Sequence, residues 1–372
     1  MRKPSLRWLV VLGLVLVGVL VAWGPAARYV RAAQFLTRLA QKPSASASAA
    51  TRLSTEDVTI PGKNGPIRGR LYFRAGAAPS PGIVVAHGVH YRGIDEGRLV
   101  PFARALAESG LTVFTPELRD LADYRITESG VDVIRDSVAY LATRHDRVSG
   151  EQVRLMGFSF AGGLALVAAE DPKTARLLSS VTSVGGHHDL ARVLHFLIHD
   201  EIKTQKGVIH QHAHDYGLVV LVYGNLEYFV PPQDLPAMRA GFQAWLQQDQ
   251  KRARAAAAAS TSPEAERLWQ LLEKQKLQTL APELDSLLAS QQAQLAALSV
   301  AGHLRALRLP VYLLHGAHDS VIPAYETDAA NLELDGSEHQ ALVSPLVEHV
   351  EVSKTASLVD ELALVSFMAK VL

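Results

Sequence analysis

The chain has 372 residues, with 37 Lys and Arg against 37 Asp and Glu, a formal charge of zero, and no cysteine. Balanced charge gives no electrostatic reason to hold a phosphate backbone, which argues against a nucleic-acid partner, and the missing thiols exclude disulfides, thiolate nucleophiles and Cys-ligated zinc. With 48% hydrophobic and 20% charged residues the chain can bury a sizeable core, and its length calls for one large core carrying an insertion, or two domains.

Arg2, Lys3 and Arg7 precede an unbroken apolar run from Trp8 to Ala27. At about 1.5 Å per residue such a helix spans a hydrocarbon core of roughly 30 Å, with Trp8 and Trp23 where interfacial rings are favoured. Residues 1–30 therefore read as a single-pass N-terminal membrane anchor. The alternative is a signal peptide, whose cleavage would leave the chain secreted or periplasmic, but the run exceeds the usual signal core of about 7–15 residues. Arg28, Arg31, Arg38 and Lys42 follow it, so the count of basic residues leaves the orientation open. Pro43–Ala50 alternates Ser and Ala, and residues 31–55 read as a flexible tether.

From residue 56 strand-like and helix-like segments alternate, the pattern of an α/β sheet. Asp57–Ile60 and Ile67–Arg74 flank Lys63-Asn64-Gly65 and predict an antiparallel hairpin. Gly82–Ala86 is short and wholly apolar, as a strand buried on both faces requires, and it ends at His87-Gly88. Leu99, Phe102, Ala103 and Leu106 predict a helix over about Glu96–Ser109, stopped by Gly110. Leu111–Thr115 predicts a strand, and Val131, Ile134, Val138 and Leu141 mark the next helix. A further buried strand, Val153–Met156, runs into Gly157-Phe158-Ser159-Phe160-Ala161 and an apolar helix.

A serine with very small residues two positions to either side, between a strand and a helix, is the pattern of a nucleophile elbow. The turn is so sharp that only Gly or Ala fits at 157 and 161, and it lifts the Ser159 hydroxyl above the sheet. The helix that follows directs its N-terminal amides at the same spot, where an oxyanion would form. A serine hydroxyl needs a base, and the base an orienting acid, in the chain order Ser, Asp or Glu, His. Asp319 lies just past the strand-like Arg308–Gly316, and His349 lies in the loop after the last strand-like segment. His339 is a rival base, but it precedes Ala341–Val343 and should enter that strand rather than leave it. Asp328 falls in a helix and Asp335 in a turn, where both read as solvated carboxylates.

On these residues, with Leu314-His315-Gly316-x-x-Asp319-x-x-Ile322-Pro323 and Ser344-Pro345-x-x-x-x-His349-Val350, the chain from about residue 56 onward resembles the α/β-hydrolase fold superfamily, close to bacterial serine esterase-like hydrolases. The resemblance implies a mostly parallel central sheet flanked by helices. It implies a triad of Ser159, Asp319 and His349, with the backbone amides of Val89 and Phe160 as the oxyanion hole. Ala161 stands where the family most often has Gly, and is nearly as small. More than a hundred residues separate Leu178–Val184 from the strand at Leu309, too many for a loop. Ser262-Pro263 and leucines repeating at three to four residues fill the gap with helices, and the family inserts a helical cap at this point, between the sixth and seventh core strands. The expected organisation is core over 56–184, cap over 185–301 and core again over 302–372.

Seven of the fifteen histidines lie between His187 and His214. His195 and His199 have the one-turn spacing of a shared metal ion, but no Glu lies between them and Cys ligands are absent, so a polar cap surface or pocket lining is the preferred reading. The expected activity is cleavage of a carboxylic ester, and in second place an amide, through an acyl-serine. The expected partners are a small-molecule ester and, through the N-terminal helix, a membrane; no cofactor, metal or protein partner is called for. A non-catalytic binding protein on the same fold, or a carbon–carbon hydrolase or acyltransferase using the same triad, are the alternatives.

Overall fold

The computed structural model describes residues 26–40, 53–348, 351–352 and 357–372. Eight strands form one sheet: β1 (Leu53–Ile60), β2 (Ile67–Arg74), β3 (Gly82–Ala86), β4 (Thr112–Pro116), β5 (Val153–Phe158), β6 (Leu178–Val184), β9 (Val311–Gly316) and β10 (His339–Ser344). Their order across the sheet is β1-β2-β4-β3-β5-β6-β9-β10. β2 is antiparallel to both neighbours, and every pairing from β4 to β10 is parallel.

The apolar strands are apolar throughout because both faces are covered. Val84 and Ala86 of β3, Phe114 of β4 and Leu313 of β9 face one core with the Glu128–Ala142 and Phe160–Glu170 helices. Their neighbours Ile83, Val85, Val113, Tyr312 and Leu314 face a second core with the Leu99–Glu108 and Leu358–Val371 helices. Each buried Val, Ile, Leu or Phe among them contributes about 1.5–3 kcal/mol, and the period of two assigns it to a face.

The second core also contains a helix over residues 26–40, which takes in the last five residues of the expected anchor and the first ten of the expected tether. Ala32 and Phe35 are buried, Phe35 meets Phe102 edge-on at 5.3 Å between ring centres, and Arg31 donates to a main-chain oxygen of Leu372 at 3.3 Å. Residues 31–40 are therefore docked structure, and β1 begins at Leu53, three residues ahead of the expected start. The apolar run lies outside the described residues apart from Ala26 and Ala27. Among the described residues no helix is long and apolar enough to cross a membrane.

Between β6 and β9 lies the expected insertion, in which Ser262 caps the Pro263–Glu273 helix by accepting from the Ala265 N–H at 3.2 Å. It is not wholly helical. β7 (Glu201–Thr204) and β8 (Gly207–His210) form an antiparallel hairpin, which the histidine pattern concealed because β8 is exposed along its whole length and carries no alternation of apolar residues. After β10, β11 (Val347–Glu348) pairs antiparallel with β12 (Glu351–Val352).

Candidate active site

β5 ends at Phe158 and the next helix begins at Phe160, so Ser159 alone makes the turn. Its φ of 53° and ψ of −133° lie where an L-residue is strained. The surroundings impose this conformation. The Ser159 N–H donates to Val184 of β6 at 2.8 Å, and the Ser159 carbonyl accepts from the Gly162 N–H at 2.7 Å. A Cβ on Gly157 would stand 2.1 Å from the Ala161 carbonyl oxygen, a backbone atom that cannot step aside, so the close return of the chain requires glycine there.

From the neighbouring strand β3 the chain continues into His87-Gly88-Val89. A Cβ on Gly88 would lie 3.2 Å from that of Ser159, so a bare Cα lets this loop approach the serine. His87 holds the loop: its Nδ1–H donates to the Gly88 carbonyl at 2.8 Å and its Nε2 accepts from the Leu118 N–H at 3.0 Å. Complete burial pushes the His87 pKa down to about 4, so the ring is neutral and structural. Among the described residues no hydrogen bond uses the N–H of Val89 or of Phe160. A cavity of about 80 Å³ opens beside Ser159, lined by Val89, His90, Glu96, Arg98, Leu99, Phe102 and Phe158.

Asp319 follows β9, two strands from β5 in a parallel sheet, and so lies at the same carboxyl edge as Ser159. It is 2% exposed, and its Oδ1 accepts from the N–H groups of Val321 and Ile322 at 2.9 and 3.0 Å. His315 Nε2 approaches Oδ2 at 3.7 Å. That imidazole is already engaged, with Nε2–H donating to Ile322 O and Nδ1 accepting from the Thr327 hydroxyl, both at 2.8 Å, so it has no lone pair with which to take a proton. His349 lies outside the described residues; β11 ends at Glu348, immediately before it. His339 pairs with Val311, at the opposite end of the sheet from Asp319. Asp328 and Asp335 are exposed.

The cap is bonded to both sides of this edge. Gln211 donates through Nε2 to the Asp319 carbonyl at 2.8 Å, the His214 N–H donates to the Ser320 carbonyl at 2.8 Å, and the Tyr216 hydroxyl donates to the Val89 carbonyl at 3.4 Å. Sequence reasoning missed these, and also Glu326. That carboxylate is fully buried below the exit of β6, where it accepts from Arg192 Nε at 2.6 Å and from the N–H groups of His188 and Asp189 at 2.9 and 2.8 Å. Nothing in a helix beginning Tyr325-Glu326-Thr327-Asp328 marks one acid as buried and its neighbour as solvated.

A mostly parallel eight-stranded sheet in this order, a strained serine between β5 and its helix, and a buried aspartate beyond β9 define an α/β-hydrolase fold. No protein-family model and no curated protein matches the chain. Among solved structures it is similar to an esterase of Pyrobaculum calidifontis, at 17% identity over 94% of this chain and 92% of that one with a TM-score of 0.45. It is also similar to brefeldin A esterase, a bacterial homologue of human hormone sensitive lipase, at 16% identity over 87% and 76% with a TM-score of 0.48. A third similar structure is an acetyl xylan esterase from Paenibacillus sp. R4, at 12% identity over 92% and 93%, with a TM-score of 0.48.

Proposed function

We propose that the chain is a serine hydrolase that cleaves a carboxylic ester through an acyl-serine. The strained backbone of Ser159 carries this reading, because a conformation costing about 1–3 kcal/mol persists only where the surroundings enforce it, and here it aims a hydroxyl at the carboxyl edge of the sheet. Ser159 attacks the acyl carbon, His349 takes its proton and returns it to the leaving alcohol, and Asp319 orients the imidazole. The N–H groups of Val89 and Phe160 receive the developing oxyanion, a role supported by their having no partner among the described residues. Water then attacks the acyl-serine with the same histidine as base. The cavity of about 80 Å³ beside the serine favours a short acyl group.

The test is labelling of the parent by a fluorophosphonate, read as a mass increase on Ser159 and lost in Ser159→Ala. A folded parent that stays unlabelled by this probe and by smaller phosphylating agents would refute the proposal.

We further propose that Trp8–Ala27 anchors the enzyme in a membrane, on the strength of its length and its flanking Trp residues. Full-length protein should then resist extraction from membranes by alkaline carbonate, and a chain begun at residue 26 should be released.

A further inference from the structure

His195 and His199, one turn apart at the end of the Leu190–His199 helix, place their ring centres 4.5 Å from each other. Asp285, from the Ala281–Ser290 helix 86 positions away, meets His199 Nε2 through Oδ1 at 2.9 Å. One ligand atom from each of these three residues lies within 4.8 Å of the others. Glu201, at the start of β7, brings Oε2 to 3.6 Å from His195 Nε2. That nitrogen is shielded from solvent and has no hydrogen-bond partner. The His199–Asp285 pair explains itself as an ion pair, but it leaves this buried imidazole nitrogen unsatisfied, an arrangement that native proteins avoid.

We propose that the cap binds one divalent transition-metal ion of the Zn²⁺ type through His195, His199 and Asp285, with Glu201 closing the fourth position. Two imidazoles and two carboxylates form a donor set suited to Zn²⁺, and the two carboxylates cancel the charge of the ion. Bonds of about 2.0–2.2 Å in a tetrahedron set neighbouring ligand atoms roughly 3.4 Å apart. His199 and Asp285, at 2.9 Å, open by a few tenths of an ångström once the proton between them is displaced, the remaining pairs of the three close from at most 4.8 Å, and Glu201, which stands outside that group but 3.6 Å from His195, swings in by side-chain rotation. His199, Glu201 and Asp285 are partly exposed, so an ion can enter from solution. The ion would join the first cap helix, the hairpin and a distant cap helix, and so brace the segment that leads through Gln211 and His214 to the Asp319 loop.

Detergent-solubilised full-length chain, stripped with chelator, is titrated with Zn²⁺ against a chromophoric zinc indicator, and its thermal unfolding is followed with and without Zn²⁺. The expected result is one ion per chain, a Zn²⁺-dependent rise in Tm, and at least a tenfold weaker affinity in both His195→Ala and Asp285→Asn. Asp285 is exposed enough that its amide leaves the fold intact, which circular dichroism checks. Absence of stoichiometric binding by the parent overturns the proposal. Undiminished binding by Asp285→Asn overturns it too, since the ion would then be held by other histidines.

Discussion

Relief of strain at Ser159 separates a conformation enforced by the fold from one that the residue accommodates freely. Ser159→Ala removes the nucleophile and keeps the Cβ, so it keeps the conflict between an L-residue and φ 53°, ψ −133°. Ser159→Gly removes both. Strain of this kind costs about 1–3 kcal/mol, against which glycine loses about 0.5–1 kcal/mol through the greater freedom of its unfolded chain. Balancing the two, the Gly variant should be more stable than the Ala variant by about 1 kcal/mol, although glycine is ordinarily the less stable choice at a helix start facing a core. Urea unfolding of the two inactive proteins, with slopes shown to be equal, reads the difference directly. Equal midpoints, or a higher midpoint for Ala, would refute the claim that the elbow stores strain. The proposed function would then lose the observation on which it rests.

Asp319→Asn retains an Oδ1 acceptor for the Val321 and Ile322 amides and so should fold, while kcat falls by a factor on the order of 10³–10⁴ because an amide cannot hold the base in the required tautomer; steady-state kinetics with circular dichroism checks both halves. His87 has a folded pKa of about 4 against the usual 6.5, so the unfolded chain binds the proton first on acidification. Native stability of roughly 3 kcal/mol is thus fully present above pH 6.5 and lost as the pH falls toward 4. Unfolding midpoints across that window should flatten in His87→Gln, and a slope unchanged by the substitution would count against the buried neutral ring. Arg192→Leu leaves the fully buried Glu326 without its cation and should cost about 3–5 kcal/mol in denaturant unfolding. A cost below 1 kcal/mol would show that the backbone N–H groups of His188 and Asp189 suffice.

What the chain shows without its structure is what local sterics and periodicity determine. The elbow is legible because a strand that turns back within one residue tolerates only Gly157 and Ala161 around Ser159. The core strands are legible because a strand covered on both faces, such as Gly82–Ala86, has to be apolar at every position. Two kinds of feature stay hidden. The fate of a charged residue depends on distant partners, and Glu326 is buried because Arg192, 134 positions earlier, arrives beside it. A weakly patterned segment takes its structure from where it packs, which is how the β7–β8 hairpin escaped notice within a run of histidines, and how a helix came to occupy residues 31–40 of the expected tether.

That helix bears directly on the proposed site. Phe35 stacks edge-on against Phe102 at 5.3 Å, Phe102 meets Phe158 at 4.9 Å, and both Phe102 and Phe158 line the cavity beside Ser159. The residues that follow the apolar run therefore buttress the wall of the cavity beside Ser159, which a flexible linker could not do. Phe35→Ala should cost about 3–5 kcal/mol, as for other buried Phe truncations. It should also free Phe102 to withdraw, raising kcat/KM for a butyryl ester relative to the acetyl ester by several-fold. An unchanged ratio in a variant destabilised by that amount would limit the helix to a role in stability, and would leave Leu99 and Phe158 as the residues that set the length of the acyl group.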